Sequence, residues 1–183
     1  MTAPEISSID DLLRHSPSLR TSALSVVALG ANLPGAFGGP ADMLRAAIPA
    51  LQTLSESPVL VSGIVETEPE DCPPGSPRFA NAVAVLKPRM DLTAVGFLVM
   101  LQKLETEFGR QRGGVRNAAR VLDLDLISFG DQCIDTEFLT LPHPRARQRL
   151  FVMQPLASVW PAFRFPGDPA TAAEHLLMLK AAI

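Results

Sequence analysis

Tyrosine is absent from the 183 residues, tryptophan occurs once, and aromatic residues make up only 5% of the chain. The net charge is −3 and the isoelectric point lies near 5.6. Both features argue against an RNA-binding module, which needs exposed rings on its sheet and a basic surface. Cysteine is also scarce. Cys72 and Cys133 stand far apart and match no zinc or redox spacing, so we read both as free thiols in a reducing compartment. No apolar run approaches a membrane span, and an N-terminus holding Glu5, Asp10 and Asp11 lacks a signal-peptide pattern. The cytoplasm is the expected location. There is no Gly-x-x-x-x-Gly-Lys-[Ser/Thr] motif, which excludes a P-loop ATPase, and no protein-kinase pairing of a glycine-rich loop with His-Arg-Asp.

What is present suits a folded globule. The chain is 47% hydrophobic, with a mean hydropathy of +0.20, and is long enough for one domain with a proper core. Residues 1–22 are polar apart from Ile9, Leu12 and Leu13. We read them as an N-terminal extension with one or two helical turns, open to partial disorder, and 23–183 as a single domain. A strand is expected from Ala23 to Leu29, closed by Gly30-Ala31-Asn32. Met43, Leu44, Ala47, Ile48 and Leu51 recur at helical spacing over 41–54, with Pro49 as a bend or break. Strands follow over 58–65 and 79–86, on either side of a loop with four prolines over 67–78. Asp91 is the expected cap of a helix over 92–108, where Phe97, Leu101, Leu104 and Phe108 form an apolar stripe and Gly109 is the stop. A strand over 121–129, a short one near Cys133–Ile134, and helices near 145–153 and 172–179 complete the reading. Strand, helix, strand, strand, helix, strand is the order of an α+β ferredoxin-like core (βαββαβ). Its antiparallel sheet carries helices on one face, and the C-terminal helices would cover the other, giving an α/β/α sandwich.

The densest chemistry lies in 109–130. Arg110, Arg112, Arg116 and Arg120 precede the strand, and Gly113 and Gly114 give the backbone room beside a ligand. On the strand, Asp123 and Asp125 share one face while Leu122, Leu124 and Leu126 take the other. Adjacent carboxylates repel unless something positive sits between them. Carboxylates take hard cations such as Mg²⁺, and arginines take phosphate. The stretch therefore describes a site for a metal-bound polyphosphate, the plainer alternative being a solvated strand edge beside a solvated charge run. His143 with Arg145, Arg147 and Arg149 makes a second basic patch. It is either a further grip on phosphate or, for Arg145 and Arg147 especially, a basic helix face. Phe79 and Asn81 share a strand face, where a flat heterocycle would stack on the ring and be read by the amide. A phenylalanine in a strand equally fits a core position.

In this order the pieces resemble the 6-hydroxymethyl-7,8-dihydropterin pyrophosphokinase family of folate biosynthesis, over about Ala23 to Pro161. The most specific part is Arg116-Asn-Ala-Ala-Arg120-Val-Leu-Asp123-Leu-Asp125. Supporting it are Leu29-Gly-Ala-Asn-Leu33, Phe79-Ala-Asn81-Ala-Val83, Gln102-Lys-Leu-Glu105 with Phe108-Gly-Arg110, and Leu139-Thr140-Leu-Pro-His143 with Arg149-Leu-Phe151. The resemblance implies transfer of diphosphate from ATP to the pterin hydroxymethyl group, leaving AMP. It implies two Mg²⁺ ions on Asp123 and Asp125, with Arg112 and Arg120 acting on the phosphates. Gln102, Glu105, Thr140, His143 and Arg149 would join those arginines on the ATP side. Thr67, Phe79, Asn81 and Phe151 would hold the pterin. Small-molecule substrates, no nucleic acid, no membrane and a monomer are the expected partners and state. The alternative function is a ferredoxin-like protein that binds nucleotide or pterin without turnover. This chain departs from many members in three ways. Asn117-Ala118 stands where they have Trp-Gly, Ala31 replaces a frequent serine, and without tyrosine the stacking falls to phenylalanines.

Overall fold

The structure is a computed structural model that describes residues 6–70, 72–110 and 119–182. In chain order its elements are α1 (Ile9–His15), β1 (Ser25–Ala31), α2 (Pro40–Gln52), β2 (Leu60–Val61), β3 (Val65–Thr67), β4 (Phe79–Leu86) and α3 (Ala94–Glu107). These are followed by β5 (Asp123–Phe129), β6 (Ile134–Asp135), β7 (Thr140–Leu141), α4 (Leu150–Val159) and α5 (Ala172–Ala181). β1 is buried along its whole length. It pairs antiparallel with β4 on one side and β5 on the other. The sheet order is β2–β4–β1–β5, with β3 also on β4, while β6 and β7 form a separate ribbon.

Alternation along the strands feeds two cores. Val27, Leu29 and Ala31 pack with Met43, Leu44 and Leu51 of α2 and Phe97 and Leu101 of α3. Val26, Val83, Val85 and Ile127 face the other way, onto Val152, Met153 and Leu156 of α4. The result is a mixed α and β molecule in three layers, helices on both faces of an antiparallel sheet. The segment read as an extension docks in the second layer. Ser8 caps α1 by accepting from Asp11 N–H at 3.2 Å, and Ile9 and Leu12 enter the second core.

Four local expectations are corrected. The strand expected over 58–65 is broken into β2 and β3. At the break Ser62 N–H donates to Val83 O, and Ser62 Oγ accepts from Val83 N–H, both at 2.9 Å. A hydroxyl thus replaces one ladder acceptor. α3 is capped by Thr93, whose Oγ1 accepts from Gly96 N–H at 3.1 Å, because the Asp91 carboxylate is taken by Arg89. α2 runs unbroken through Pro49, which lies in its last turn and there forfeits one bond. The helix expected from 145 begins at Leu150, after a 3₁₀ turn over 146–148. Among the described residues no helix is long and apolar enough to cross a membrane.

Candidate active site

The second core stops at Ala28 and Val83. Beyond them the same sheet face carries Phe79 and Asn81 from β4, Gly30 from β1, and Asp123 and Asp125 from β5, all lining one cleft. The register sets Gly30 directly between Asn81 and Asp123. A β-carbon at Gly30 would lie 3.3 Å from Asn81 Oδ1 and 3.9 Å from both Asp123 Cβ and Phe79 Cδ1. Glycine therefore keeps the floor open between an amide-and-aromatic side and a carboxylate side.

On the first side, Asn81 is buried and its Nδ2 donates to Thr67 Oγ1 at 2.8 Å. That bond fixes the amide so that its oxygen stands toward the gap over Gly30 as an acceptor. Phe79 and Phe151 add two rings to the lining.

On the second side, Asp123 is held at both oxygens, Oδ1 by Arg110 and Oδ2 by Arg120 at 2.6 Å. Arg110 also pairs with Glu105, a carboxylate only 2% exposed, which accepts from Leu124 N–H at 2.8 Å. Leu124 lies between the two aspartates, so Glu105 grips the strand that presents them. Burial disfavours the Arg110 cation, but the Asp123 and Glu105 carboxylates outweigh it and raise its pKa. Arg120 is anchored through its backbone. Its N–H donates to Asn32 Oδ1 at 2.7 Å, and its carbonyl accepts from Asn32 N–H at 3.0 Å. The nearest described cation to Asp125 is Arg149, at 3.7 Å. Although 39% of its side chain is exposed, burial against the cleft floor and then the charge of Asp123 push its pKa up to about 6.

The rim comes from the segment after β7. His143 N–H donates to Ile127 O at 2.9 Å, tying that segment to β5. Burial, then Arg149 and Arg145, push the imidazole pKa down to about 4, so it is neutral at pH 7. Its Nδ1 lies 3.3 Å from Arg145 N–H and accepts from it, which places the ring proton on Nε2. Arg149 lies over the Phe151 ring at 5.3 Å, and burial lowers its pKa.

The structure thus brings together Thr67, Phe79, Asn81, Arg120, Asp123, Asp125, His143, Arg149 and Phe151 of the residues expected from the sequence. Glu105 lies beneath the floor instead of on it, and Gln102 and Thr140 do not line the cleft formed by the described residues. Arg112 falls outside the described residues, as do Arg116, Asn117 and Ala118. Sequence reasoning placed Arg110 in the polyphosphate stretch without a role of its own, gave none to Gly30 and Asn32, and set Arg145 aside as a basic helix face although it lines the rim. The signal for Arg110 was its place just after the Gly109 stop, five residues from Glu105. Gly30 and Asn32 carried a turn signal and a place in the match over 29–33, and neither named a partner. For a metal ion, the two β5 carboxylates supply hard oxygen donors on one face. Among the described residues no group of three or more histidine, cysteine, aspartate or glutamate side chains could form a cage.

Residues 26–161 match the family model described as 7,8-dihydro-6-hydroxymethylpterin-pyrophosphokinase (HPPK). A Pseudomonas aeruginosa protein named 2-amino-4-hydroxy-6-hydroxymethyldihydropteridine pyrophosphokinase is 39% identical over 157 residues, 85% of this chain and 89% of its own length. A Bacillus subtilis protein of the same name is 36% identical over 140 residues, covering 74% of this chain and 77% of its own. Among solved structures, Plasmodium falciparum HPPK-DHPS with pteroate superposes with a TM-score of 0.64 at 13% identity, over 85% of this chain. The match spans only 44% of that longer protein. With the family model matched over residues 26–161 and these relatives matched over most of their length, the chain belongs to the 7,8-dihydro-6-hydroxymethylpterin-pyrophosphokinase family.

Proposed function

We propose that the cleft holds ATP and 6-hydroxymethyl-7,8-dihydropterin on the two sides of Gly30, and that the residues lining it carry out the transfer between them. The reaction is that of the family: diphosphate passes from ATP to the pterin hydroxymethyl oxygen, releasing AMP, a step of folate synthesis. The observation that carries the residue assignment is the row Asn81, Gly30, Asp123, which puts a place for a flat acceptor beside a carboxylate pair on one sheet face.

In this reading Phe79 and Phe151 stack on the pterin. Asn81 Oδ1, held by Thr67, accepts from its amide and amino edge, with the Thr67 backbone beside it. The hydroxymethyl arm then lies over Gly30 and points to Asp123. Asp123 and Asp125 would hold Mg²⁺. Two carboxylates with no cage around them among the described residues suit a cation that completes its shell with water and phosphate oxygens, and we assign two such ions. Bound there, the metal supplies charge neutralisation for the polyphosphate and lowers the pKa of the attacking hydroxyl. Arg110 and Arg120 neutralise Asp123 until a cation takes over that role, and can then turn to the phosphate oxygens. Neutral His143 donates from Nε2 to a phosphate oxygen without adding charge, and Arg149 supplies charge. Arg112, Gln102 and Thr140 complete the nucleotide side, and Glu105 supports it from below.

The strand order supports a ferredoxin-like βαββαβ unit if β2 and β3 count as halves of one strand, with α1, α4 and α5 as the added layer. We place the chain in the cytoplasm as a monomer acting on two small molecules. The test is Mg²⁺-dependent AMP release from ATP with and without the pterin. AMP only with the pterin is expected, and ADP or orthophosphate in its place would overturn the reaction type.

A further inference from the structure

Arg147 takes part in none of the contacts above. It sits in the 3₁₀ turn between His143 and Arg149, and its side chain reaches the C-terminal segment. Its Nε stands 2.8 Å from Asp168 Oδ2. The N–H finds no aligned acceptor, so the contact is charge against charge. The guanidinium lies over the Phe165 ring, 4.9 Å from its centre. Asp168 is itself fixed. Its Oδ1 accepts from Ala170 N–H at 2.9 Å, its Oδ2 lies 3.1 Å from His175 Nε2, and its N–H donates to Phe165 O at 2.9 Å. Phe165 is buried and meets Phe163 and His175 edge-on. Ala172 N–H donates to Phe163 O at 2.7 Å, closing the segment on itself. The C-terminal segment is therefore a braced post, and Arg147 ties the turn carrying the rim residues to it.

We infer that Asp168 is a positioning residue for nucleotide binding, acting through Arg147 to set the turn that presents His143 and Arg149 to phosphate. The inference rests on the phosphate roles proposed for those two residues. It separates the two substrates. Phe151 is set by its helix, whose Val152 and Met153 pack in the second core with Phe163 and Phe165 whether or not Arg147 reaches Asp168, so the pterin side depends on that core and not on the ion pair. A pair that only braced the C-terminal segment would change melting temperature and leave both substrates alone.

Two readouts decide it: calorimetric binding of α,β-methylene ATP with Mg²⁺, and separate KM values for ATP and pterin. In Asp168→Asn, the dissociation constant for the analogue and the KM for ATP are expected to rise about tenfold, the scale of a displaced contact. The KM for pterin is expected to stay within about twofold. Arg147→Gln tests the same link from the other side, including the case where Asp168→Asn fails to fold. The double variant is expected to lose no more than either single one, and Asp168→Glu to recover most of the affinity. Unchanged nucleotide affinity in Arg147→Gln, or equal losses for both substrates, overturns the inference. If the unaltered protein binds the analogue but forms no AMP, the assigned reaction fails, while the calorimetry still decides the role of Asp168.

Discussion

At Gly30 a methyl group would stand 3.3 Å from Asn81 Oδ1, close enough that the amide Thr67 holds must give by a few tenths of an ångström. Gly30→Ala is expected to raise the KM for pterin about tenfold, the scale of one methylene in a shaped pocket, with the fold intact. Steady-state kinetics against each substrate measures it. Asp125 makes a different demand, because its pKa is raised to about 6. A cation binds the carboxylate form, so protons compete below that value and not above it. Affinity for Mg²⁺ with a nucleotide analogue is expected to weaken about tenfold for each pH unit below 6, and to level off above about pH 7. Calorimetry across that range tests this, and Asp125→Asn, which has nothing to titrate, should flatten the profile. At this scale the aspartate pair was legible because a period of two fixes which face a strand residue takes. Asn32 and Gly30 were not. Their roles come from partners 88 and 51 residues away, Arg120 and Asn81, and no local pattern encodes such a pairing.

The elements α3 and β5 meet through Glu105, whose buried carboxylate serves Arg110 and Leu124 N–H together. Glu105→Ala takes one of two carboxylates from Arg110 and leaves the Leu124 amide without its acceptor, and is expected to cost about 2 kcal/mol of stability by denaturant unfolding. The larger functional loss would follow from a β5 no longer held behind its aspartates. β4 and the body of α3 could be read from the chain because alternation and an apolar stripe are properties of neighbours. The break between β2 and β3 could not, because Ser62 reads as an ordinary strand residue until its hydroxyl meets Val83 across the sheet. The start of α4 was misread for a related reason. Arg145, Arg147 and Arg149 look like one charged helix face, yet they point to the rim, to Asp168 and to Asp125 in turn.

For the molecule as a whole, the three layers make α1 part of the folding unit. Leu12 is fully buried in the second core. Leu12→Ala is expected to lower stability by about 3 kcal/mol, the usual cost of a large-to-small core change, while both KM values stay unchanged. Thermal melts beside kinetics separate the two effects. The layering was legible, with the C-terminal helices expected on the second face, but the place of α1 in that layer was not, since Ile9 and Leu12 sit far in sequence from the α4 residues they join.

The second layer also ends short, at Ala28 and Val83, leaving the tips of three strands roofed by neither helix nor loop core. Pterin and nucleotide would then serve as the absent masonry of that layer, shielding backbone amides as a helix does elsewhere. In hydrogen–deuterium exchange, the tips of β1, β4 and β5 around Gly30, Asn81 and Leu124 are expected to slow most when both ligands are bound, while the α2 side of the sheet stays as it was. Occupancy would thus be recorded as a local gain in folding, on one face of the sheet and at one end of it.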